Sequence, residues 1–377
     1  AGRTVRSLQP AVLDVLRLGT HQLLAMRVPT HAALDTTVDL AALEVGERVT
    51  GLVNAVLRRV AERDEPEWLE LLGEGTDDLG RLALIHHHPR WIVEAWARVL
   101  PASELADALA ADNVAPVPNL VVRPGLAEVA ELGGRPARWS PYGAYREGDP
   151  AELPVVAQGR AGAQDEGSQL VALALARASA PQGEWLDLCA GPGGKSALLA
   201  GLAREHGTRL IAAELQPHRA RLVADNLRAY PEPNRPLAIV ADGTRPAWRE
   251  GAFARVLADV PCTGLGALRR RPESRWRRGP KDVPGLVTLQ RALLATAIAS
   301  TKPGGVVAYV TCSPHPEETA AVVDHAPGVS VVDAASLLPE VPDAAAGPFV
   351  QLWPHRHGTD AMFLAVLRRD GESGSAR

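Results

Sequence analysis

Cysteine is scarce in this 377-residue sequence: there are three, well separated, and no C-x-x-C pair. That excludes a disulfide framework and a cysteine zinc site, and it suits a reducing compartment, so a cytoplasmic protein is expected. Long apolar runs are missing too. No uninterrupted run reaches the length of a membrane span, and the chain does not open on a basic stretch followed by an apolar one, as a secretory signal would. Net charge is small, at −4, which is unlike a uniformly basic nucleic-acid binder but leaves room for local patches. There is no internal repeat and no low-complexity tract. The three consecutive histidines, His86, His87 and His88, point in different directions on a helix and cannot ligate one ion, so no metal is expected. What remains is globular: 46% apolar and 22% charged residues, in a chain too long for a single ordinary core.

The pattern of apolar residues changes along the chain. From Pro10 to about Arg63, "AVLDVLRLGTHQLLAMRV", "HAALDTTVDLAALEV" and "ERVTGLVNAVLRRVAER" repeat at three- and four-residue spacing, which predicts three short helices in a small bundle. "DEPEW" and "GEGTDD" read as a linker, and "PRWIVEAWARVL" and "ASELADALAADN" as further helix. Residues 114–160 are rich in proline and glycine and read as short strands and turns. From Gln164 onward, helices alternate with short apolar strands: "EWLDLC", "RLIAAEL", "LAIVAD", "ARVLADV", "GVVAYVT" and finally "MFLAVLRR". That alternation predicts an α/β domain, doubly wound on a mostly parallel sheet.

A glycine turn, Cys189-Ala190-Gly191-Pro192-Gly193-Gly194-Lys195, ends the first of these strands. A P-loop would need glycine where Cys189 stands, and the dinucleotide fingerprint would need one at Ser196, so both diphosphate readings fail. A turn that lets a ligand approach the backbone is left. Glu214, Asp242 and Asp259 end three further strands, on the carboxyl edge where open α/β sheets bind ligands. Any one of them is as readily a helix cap; three together suit ribose hydroxyls and a cationic group. An adenosine without phosphates that carries a sulfonium meets this description, which points to S-adenosylmethionine.

Two cysteines also stand at strand ends, Cys262 in "LADVPCTGLG" and Cys312 in "YVTCSPHPEE". A cysteine in an apolar run is most often a small core residue, and Cys189 fits that reading. Cys262 and Cys312 lie instead on the ligand-binding edge, where reactive side chains belong. Directly after Cys262, residues 269–281 carry seven basic residues and one acid: Arg269, Arg270, Arg271, Arg275, Arg277, Arg278 and Lys281 beside Glu273, with Trp276 among them. A basic run alone is a solvated loop more often than a binding site. Beside a strand-end cysteine it becomes a candidate phosphate clamp and stacking surface, with Arg269, Arg270, Arg271, Trp276, Arg277 and Arg278 as candidate nucleic-acid contacts.

"DLCAGPGGKS", "ADVPCTGLGALRRRPESRW", "KPGGVVAYVTCSPHPEE" and "LWPHRHGTDAMFLAVL" resemble the successive motifs of the RNA cytosine carbon-5 methyltransferases, the NOL/NOP/Sun family, over roughly residues 114–369. "HQLLAMRVPTHAALDTTVDLA" and "GLVNAVLRRV" are similar to the NusB-like helical domain, whose first helices the sequence lacks. The second motif has "DVPCTG" where the family has "DAPCSG", and Gly191 stands where the family usually has alanine.

The resemblance implies a Rossmann-like S-adenosylmethionine-dependent core at 164–369, a NusB-like RNA-binding domain at 1–68, a linker and small RNA-binding subdomain at 69–163, and a disordered tail at 370–377. It implies that Cys189 through Lys195, Glu214, Asp242 and Asp259 hold the cofactor and that Asp259 also faces the base. It assigns the attack on carbon 6 of cytosine to Cys312 and product release to Cys262, although Pro261-Cys262 resembles the nucleophile motif of DNA cytosine methyltransferases. The expected substrate is small-subunit ribosomal RNA, methylated by a monomer that needs neither metal nor membrane. A transfer-RNA methyltransferase and a non-catalytic RNA-binding assembly factor on the same fold are the alternatives.

Overall fold

The computed structural model describes residues 4–371. The chain divides into two compact units, residues 1–87 and 88–377. In the first, the three amphipathic patterns form α1 (Pro10–Leu24), α2 (Thr30–Glu44) and α3 (Thr50–Val60). Their apolar faces meet in a core of Val12, Val15, Leu16, Ala41, Val53 and Leu57. Of the stretches read as a linker, "DEPEW" instead opens α4 (Glu65–Gly73), while residues 74–77 are the expected connection, leading into α5 (Asp78–Ile85). The cause is local hydrogen bonding. Asp64 accepts the Glu67 N–H at 3.0 Å while the Glu67 carboxylate accepts the Asp64 N–H at 3.1 Å, a capping box that closes the first turn. Asp77 caps α5 in the same way through the Gly80 N–H.

The second unit opens with α6 (Arg90–Ala97) and α7 (Ala102–Ala111). Strands β1 (Asn119–Val122), β2 (Arg135–Pro136), β3 (Gly143–Tyr145) and β4 (Ala161–Ala163), with the short α8 (Pro154–Ala157), then form a small antiparallel sheet in the order β2-β3-β1-β4. Glu166, at the start of α9 (Glu166–Arg177), accepts the N–H groups of Trp139 and Ser140 and the Tyr145 hydroxyl, and so ties this sheet to the first helix of the large domain.

Beyond α9 the chain alternates: β5 (Trp185–Asp187), α10 (Gly194–Glu205), β6 (Leu210–Glu214), α11 (Pro217–Leu227), β7 (Leu237–Val240) and β8 (Phe253–Asp259). The short α12 (Ser274–Arg277) and α13 (Val283–Ser300) lead to β9 (Thr301–Thr311). The closing elements are α14 (Ala320–Val323), β10 (Val329–Val332), β11 (Ala345–Ala346), β12 (Phe349–Gln351), α15 (Pro354–His357) and β13 (Phe363–Arg369). The nine-stranded sheet runs β11-β12-β13-β9-β8-β5-β6-β7, with β10 also pairing β13. The five strands from β9 to β7 pair in parallel, and β10 to β13 add antiparallel pairs.

Both faces of the sheet are covered, which explains the continuous apolar strands. Along β9, Val306, Ala308 and Val310 point into the core shared with α9 and α10, while Val307 and Tyr309 point to the face packed by Leu293, Leu294 and Ala297 of α13. By length and composition alone, the helical stretch Pro280–Ser300 could cross a membrane; its packing on this sheet identifies it as a core helix. After β5 the chain winds outward through β6 and β7, then returns to the other side of β5 as β8. The carboxyl ends of β5 and β8 therefore flank a switch point, where such sheets open a crevice for ligands. Of the expected disordered tail, residues from 372 onward lie outside the described residues; Asp370 still donates its N–H to the Gly328 carbonyl.

Candidate active site

The sheet order sets out the edge. Asp242 follows β7, Glu214 ends β6, the glycine turn follows β5, Asp259 ends β8 and Cys312 follows β9. The residues singled out in the sequence therefore line the ends of five adjacent strands.

The glycine turn is built around Glu214. Its carboxylate accepts the Gly191 N–H at 3.0 Å and the Gln216 N–H at 2.9 Å, while Arg219 donates to the Gly191 carbonyl from the other side. Gly193 has a φ of +111°, and a methyl group there would lie 2.9 Å from the Val223 Cα; only glycine lets the turn pass under α11. Asp242 accepts both the N–H and the hydroxyl of Thr244, at 2.8 and 2.7 Å, which holds its carboxyl below the usual range. Cys189 and Ala190 pack into the sheet cores, and burial pushes the Cys189 thiol well above its ordinary value, as a core residue requires.

One acid of the edge escaped the sequence reading. Asp187, the last residue of β5, is buried, and burial raises its carboxyl to about 7. Ser196 donates to Oδ2 at 2.6 Å, and Oδ1 has no protein partner. An acid inside the apolar string "WLDL" was the available signal, since strand interiors rarely keep one without a task. Nearby, Gln164 stands over Gly194 with neither atom of its amide accessible or partnered. A polar cradle with unmatched buried donors and acceptors fits a zwitterionic adenosyl cofactor better than an apolar ligand.

Lys195 Nζ donates to Asp259 Oδ2 at 2.8 Å. Burial pulls the ammonium down, but Asp259 beside it outweighs burial and leaves it above the usual lysine value. Next to this pair, the Cys262 and Cys312 sulfurs lie 3.4 Å apart. The two thiols are not equivalent. The hydrogen bond between them, reinforced by burial, drives Cys262 well above the thiol range, whereas on Cys312 it acts in the opposite sense and outweighs burial. Either sulfur can be the donor across this contact, and the opposite shifts favour an arrangement in which Cys262 keeps its proton.

A second carboxylate missed in the sequence holds this arrangement. Glu318 is fully buried. It accepts the Thr263 N–H at 2.8 Å, the Thr263 hydroxyl, the Ser313 hydroxyl at 2.7 Å and the Gln290 amide at 3.0 Å. Thr263 follows Cys262 and Ser313 follows Cys312, so one carboxylate binds both cysteine loops. Gly266 completes the joint: its N–H donates to the Cys312 carbonyl and its carbonyl accepts the Ala361 N–H, each at 2.8 Å. A methyl group on Gly266 would sit 1.9 Å from the Ala361 oxygen. Nothing in "HPEE" distinguishes Glu318 from its neighbour Glu317 before folding.

The basic segment is partly taken up by acids of the domain itself, although Arg270 stays exposed. Arg269 donates to Asp165 Oδ2 at 2.6 Å, to Asp360 Oδ1 at 3.2 Å and to the Gly358 carbonyl at 2.7 Å. Arg270 forks onto the Asp360 carboxylate, at 3.1 and 3.0 Å from Nε. Arg275 is buried and donates to Asn113 and to the Asp112 carbonyl. Arg271, Trp276, Arg277 and Arg278 are exposed, Trp276 to 69%. Among the described residues no group of His, Cys, Asp and Glu side chains could hold a metal ion; His88 is buried with Nε2 3.4 Å from Asp112 Oδ2.

Two measurements check this geometry. Alkylation by iodoacetamide, followed by mass spectrometry, is expected to modify Cys312 at a pH below that of a free thiol and to move to higher pH in Cys262→Ala, which removes its hydrogen-bond partner. Glu318→Ala strands several buried donors and is expected to cost about 3 kcal/mol in denaturant unfolding; a loss of under about 1 kcal/mol, the range of a single neutral hydrogen bond, would show that the loops do not depend on it.

Comparison with known proteins places these residues in a lineage. Residues 173–368 match the family model described as 16S rRNA methyltransferase RsmB/F, and residues 1–62 match the NusB family. A provisionally assigned methyltransferase of Mycobacterium tuberculosis is 50% identical over 98% of this chain and 83% of its own length. The ribosomal RNA small subunit methyltransferase B of Sodalis glossinidius is 32% identical over 97% of this chain and 83% of its own. A crystal structure of a methyltransferase homolog protein from Pyrococcus horikoshii shares the fold, with a TM-score of 0.63 at 21% identity, over 78% of this chain and 99% of the other. The chain belongs to the 16S rRNA methyltransferase RsmB/F family, an RNA methyltransferase core preceded by a NusB-family segment.

Proposed function

We propose that the protein methylates carbon 5 of a cytosine in 16S ribosomal RNA, with S-adenosylmethionine as donor and Cys312 as covalent nucleophile. The 3.4 Å contact between two oppositely perturbed thiols, beside a Lys195–Asp259 pair at the sheet's switch point, carries this reading. The NusB-family segment and the names of the relatives favour ribosomal over transfer RNA. A non-catalytic assembly factor would have no use for a polarised cysteine pair.

The chemistry derives from the substrate. Carbon 5 of cytosine is a poor nucleophile until a thiolate adds to carbon 6. The Cys312 sulfur forms the S–C6 bond, and the electron pair of the C5–C6 double bond moves into the ring. Asp259, held by Lys195 and carrying a proton when the base is bound, donates that proton to ring nitrogen 3 as negative charge arrives there and takes it back when the adduct breaks down. The cofactor supplies a methyl group activated by its positive sulfur; the glycine turn, Glu214, Asp242 and Asp259 would hold it. Once carbon 5 carries the methyl, a base takes its proton, the double bond re-forms and the Cys312 thiolate leaves. A Cys262 S–H donating across the 3.4 Å contact stabilises that leaving group. The target base must be turned out of any stack to reach the edge, with exposed Trp276 offering a stacking face and Arg271, Arg277 and Arg278 contacting phosphates.

The roles separate in mutants. Cys312→Ala is expected to bind RNA but form no adduct and transfer no methyl. Cys262→Ala is expected to methylate once and stay bonded to its RNA, giving a band that survives denaturing electrophoresis. The trapped band in Cys312→Ala instead would exchange the two roles. Bisulfite sequencing of 16S ribosomal RNA, with and without the gene, tests the substrate: an unchanged cytosine pattern would rule it out. Replacing Arg271, Arg277 and Arg278 by Ala should flatten the log–log salt dependence of RNA binding by about 0.7–0.9 per lost phosphate contact; an unchanged slope would leave the segment a solvated surface.

A further inference from the structure

We infer that Arg123 and Asn226 act together as positioning residues for the glycine turn, a polar relay through which the small antiparallel sheet sets the Pro192 carbonyl. This rests on the reading that the turn takes S-adenosylmethionine. Three side chains of β6 and α11 fix the turn. Glu214 accepts the Gly191 N–H and Arg219 donates to the Gly191 carbonyl. Asn226 donates through Nδ2 to the Pro192 carbonyl at 3.0 Å. The approach is close: a methyl group on Gly193 would lie 3.1 Å from the Asn226 Cβ and 3.2 Å from its amide nitrogen. The same Nδ2 donates to the Leu222 carbonyl at 3.1 Å, one turn back along α11. With both N–H groups given to carbonyls, the amide oxygen is left to face a donor.

That donor is Arg123, the residue after β1, whose Nη2 lies 2.8 Å from Asn226 Oδ1. Arg123 is buried, and burial pulls its guanidinium below the usual value. Among the described residues no carboxylate pairs with it, and Nη1 is closed to solvent without a partner. A buried cation without a counter-charge destabilises a fold, and an apolar side chain of similar length would fill the place at less cost. What the guanidinium adds is a donor that reaches Asn226. It stands on a fixed backbone: the Arg123 N–H donates to the Arg160 carbonyl and its carbonyl accepts the Leu126 N–H, both at 2.9 Å. The next residue, Pro124, abuts α10, where a methyl group on Gly201 would lie 2.5 Å from the Pro124 Cδ. The small sheet is thus locked against the helix that begins in the turn, and its arginine reaches the turn through one amide. Lys195, two residues beyond Gly193, holds Asp259, so the placing of the turn bears on the reacting edge as well as on the cofactor.

Titration calorimetry with S-adenosylhomocysteine on the full chain, beside thermal melting, tests the relay. Asn226→Leu is expected to weaken the ligand about tenfold. Arg123→Met should weaken it by a similar factor yet melt no lower than the wild type, because it replaces an uncompensated buried cation. Asn226→Asp keeps the acceptor and gives Arg123 a charged partner, but sets an oxygen against the Pro192 carbonyl. Its affinity should fall while its melting temperature holds, and it serves if Asn226→Leu does not fold. Arg123→Met combined with Asn226→Leu should lose no more than Asn226→Leu alone, as two members of one relay do. Unchanged affinity in the single variants, losses that only follow the melting temperature, or additive losses would each overturn the relay. If the wild-type chain does not bind S-adenosylhomocysteine, the cofactor reading fails and this inference falls with it.

Discussion

The buried Glu318 carboxylate is the point on which the site turns. A carboxylate without solvent is unfavourable unless donors replace its lost hydration. Here four groups do so, drawn from the Cys262 loop, the Cys312 loop and α13. Because the donors come from segments far apart in sequence, satisfying the charge and closing the site are one event. The Gln290 amide donates also to the Pro261 carbonyl, at 2.9 Å, so the residue before Cys262 is held by the same network. Rigid positioning of two reactive side chains requires this kind of support.

The same positioning creates the difference between the cysteines. Two thiols in bulk water would titrate alike. At 3.4 Å, in a half-buried setting, one becomes donor and the other acceptor. The surrounding charges act in the same sense: Glu318 raises Cys262, while on Cys312 Lys195 opposes Asp259 and Asp360. Under the function proposed above, a thiolate stabilised by a neighbouring S–H would be suited both to attack and to departure.

A third acid explains why the basic segment is less basic than it looks. Asp360, buried between β12 and β13, pairs with both Arg269 and Arg270, and Arg269 reaches on to Asp165 at the start of α9. These ion pairs fasten the chain after Cys262 to the body of the domain, and burial with two acids so close raises Asp165 to about 6. Arg270 stays exposed beside its ion pair, and Arg271, Arg277 and Arg278 are exposed after it.

The sequence alone determined the α/β core, because apolar strands covered on both faces and helices at three- and four-residue spacing leave a periodic trace. It also determined the glycine turn, the acids at strand ends and the two cysteines, because each follows an apolar run that stops at one edge of the sheet. Only the tertiary structure decided the rest. The helices α4 and α5 depend on capping hydrogen bonds that outweigh a loop-like composition. Glu318 and Asp187 gain significance from burial, which no local pattern encodes, and Arg269 and Arg270 find their ion-pair partner in Asp360, some 90 residues away. Periodicity is a property of neighbours along the chain; the energy of a buried charge or an unmatched amide depends on neighbours in space.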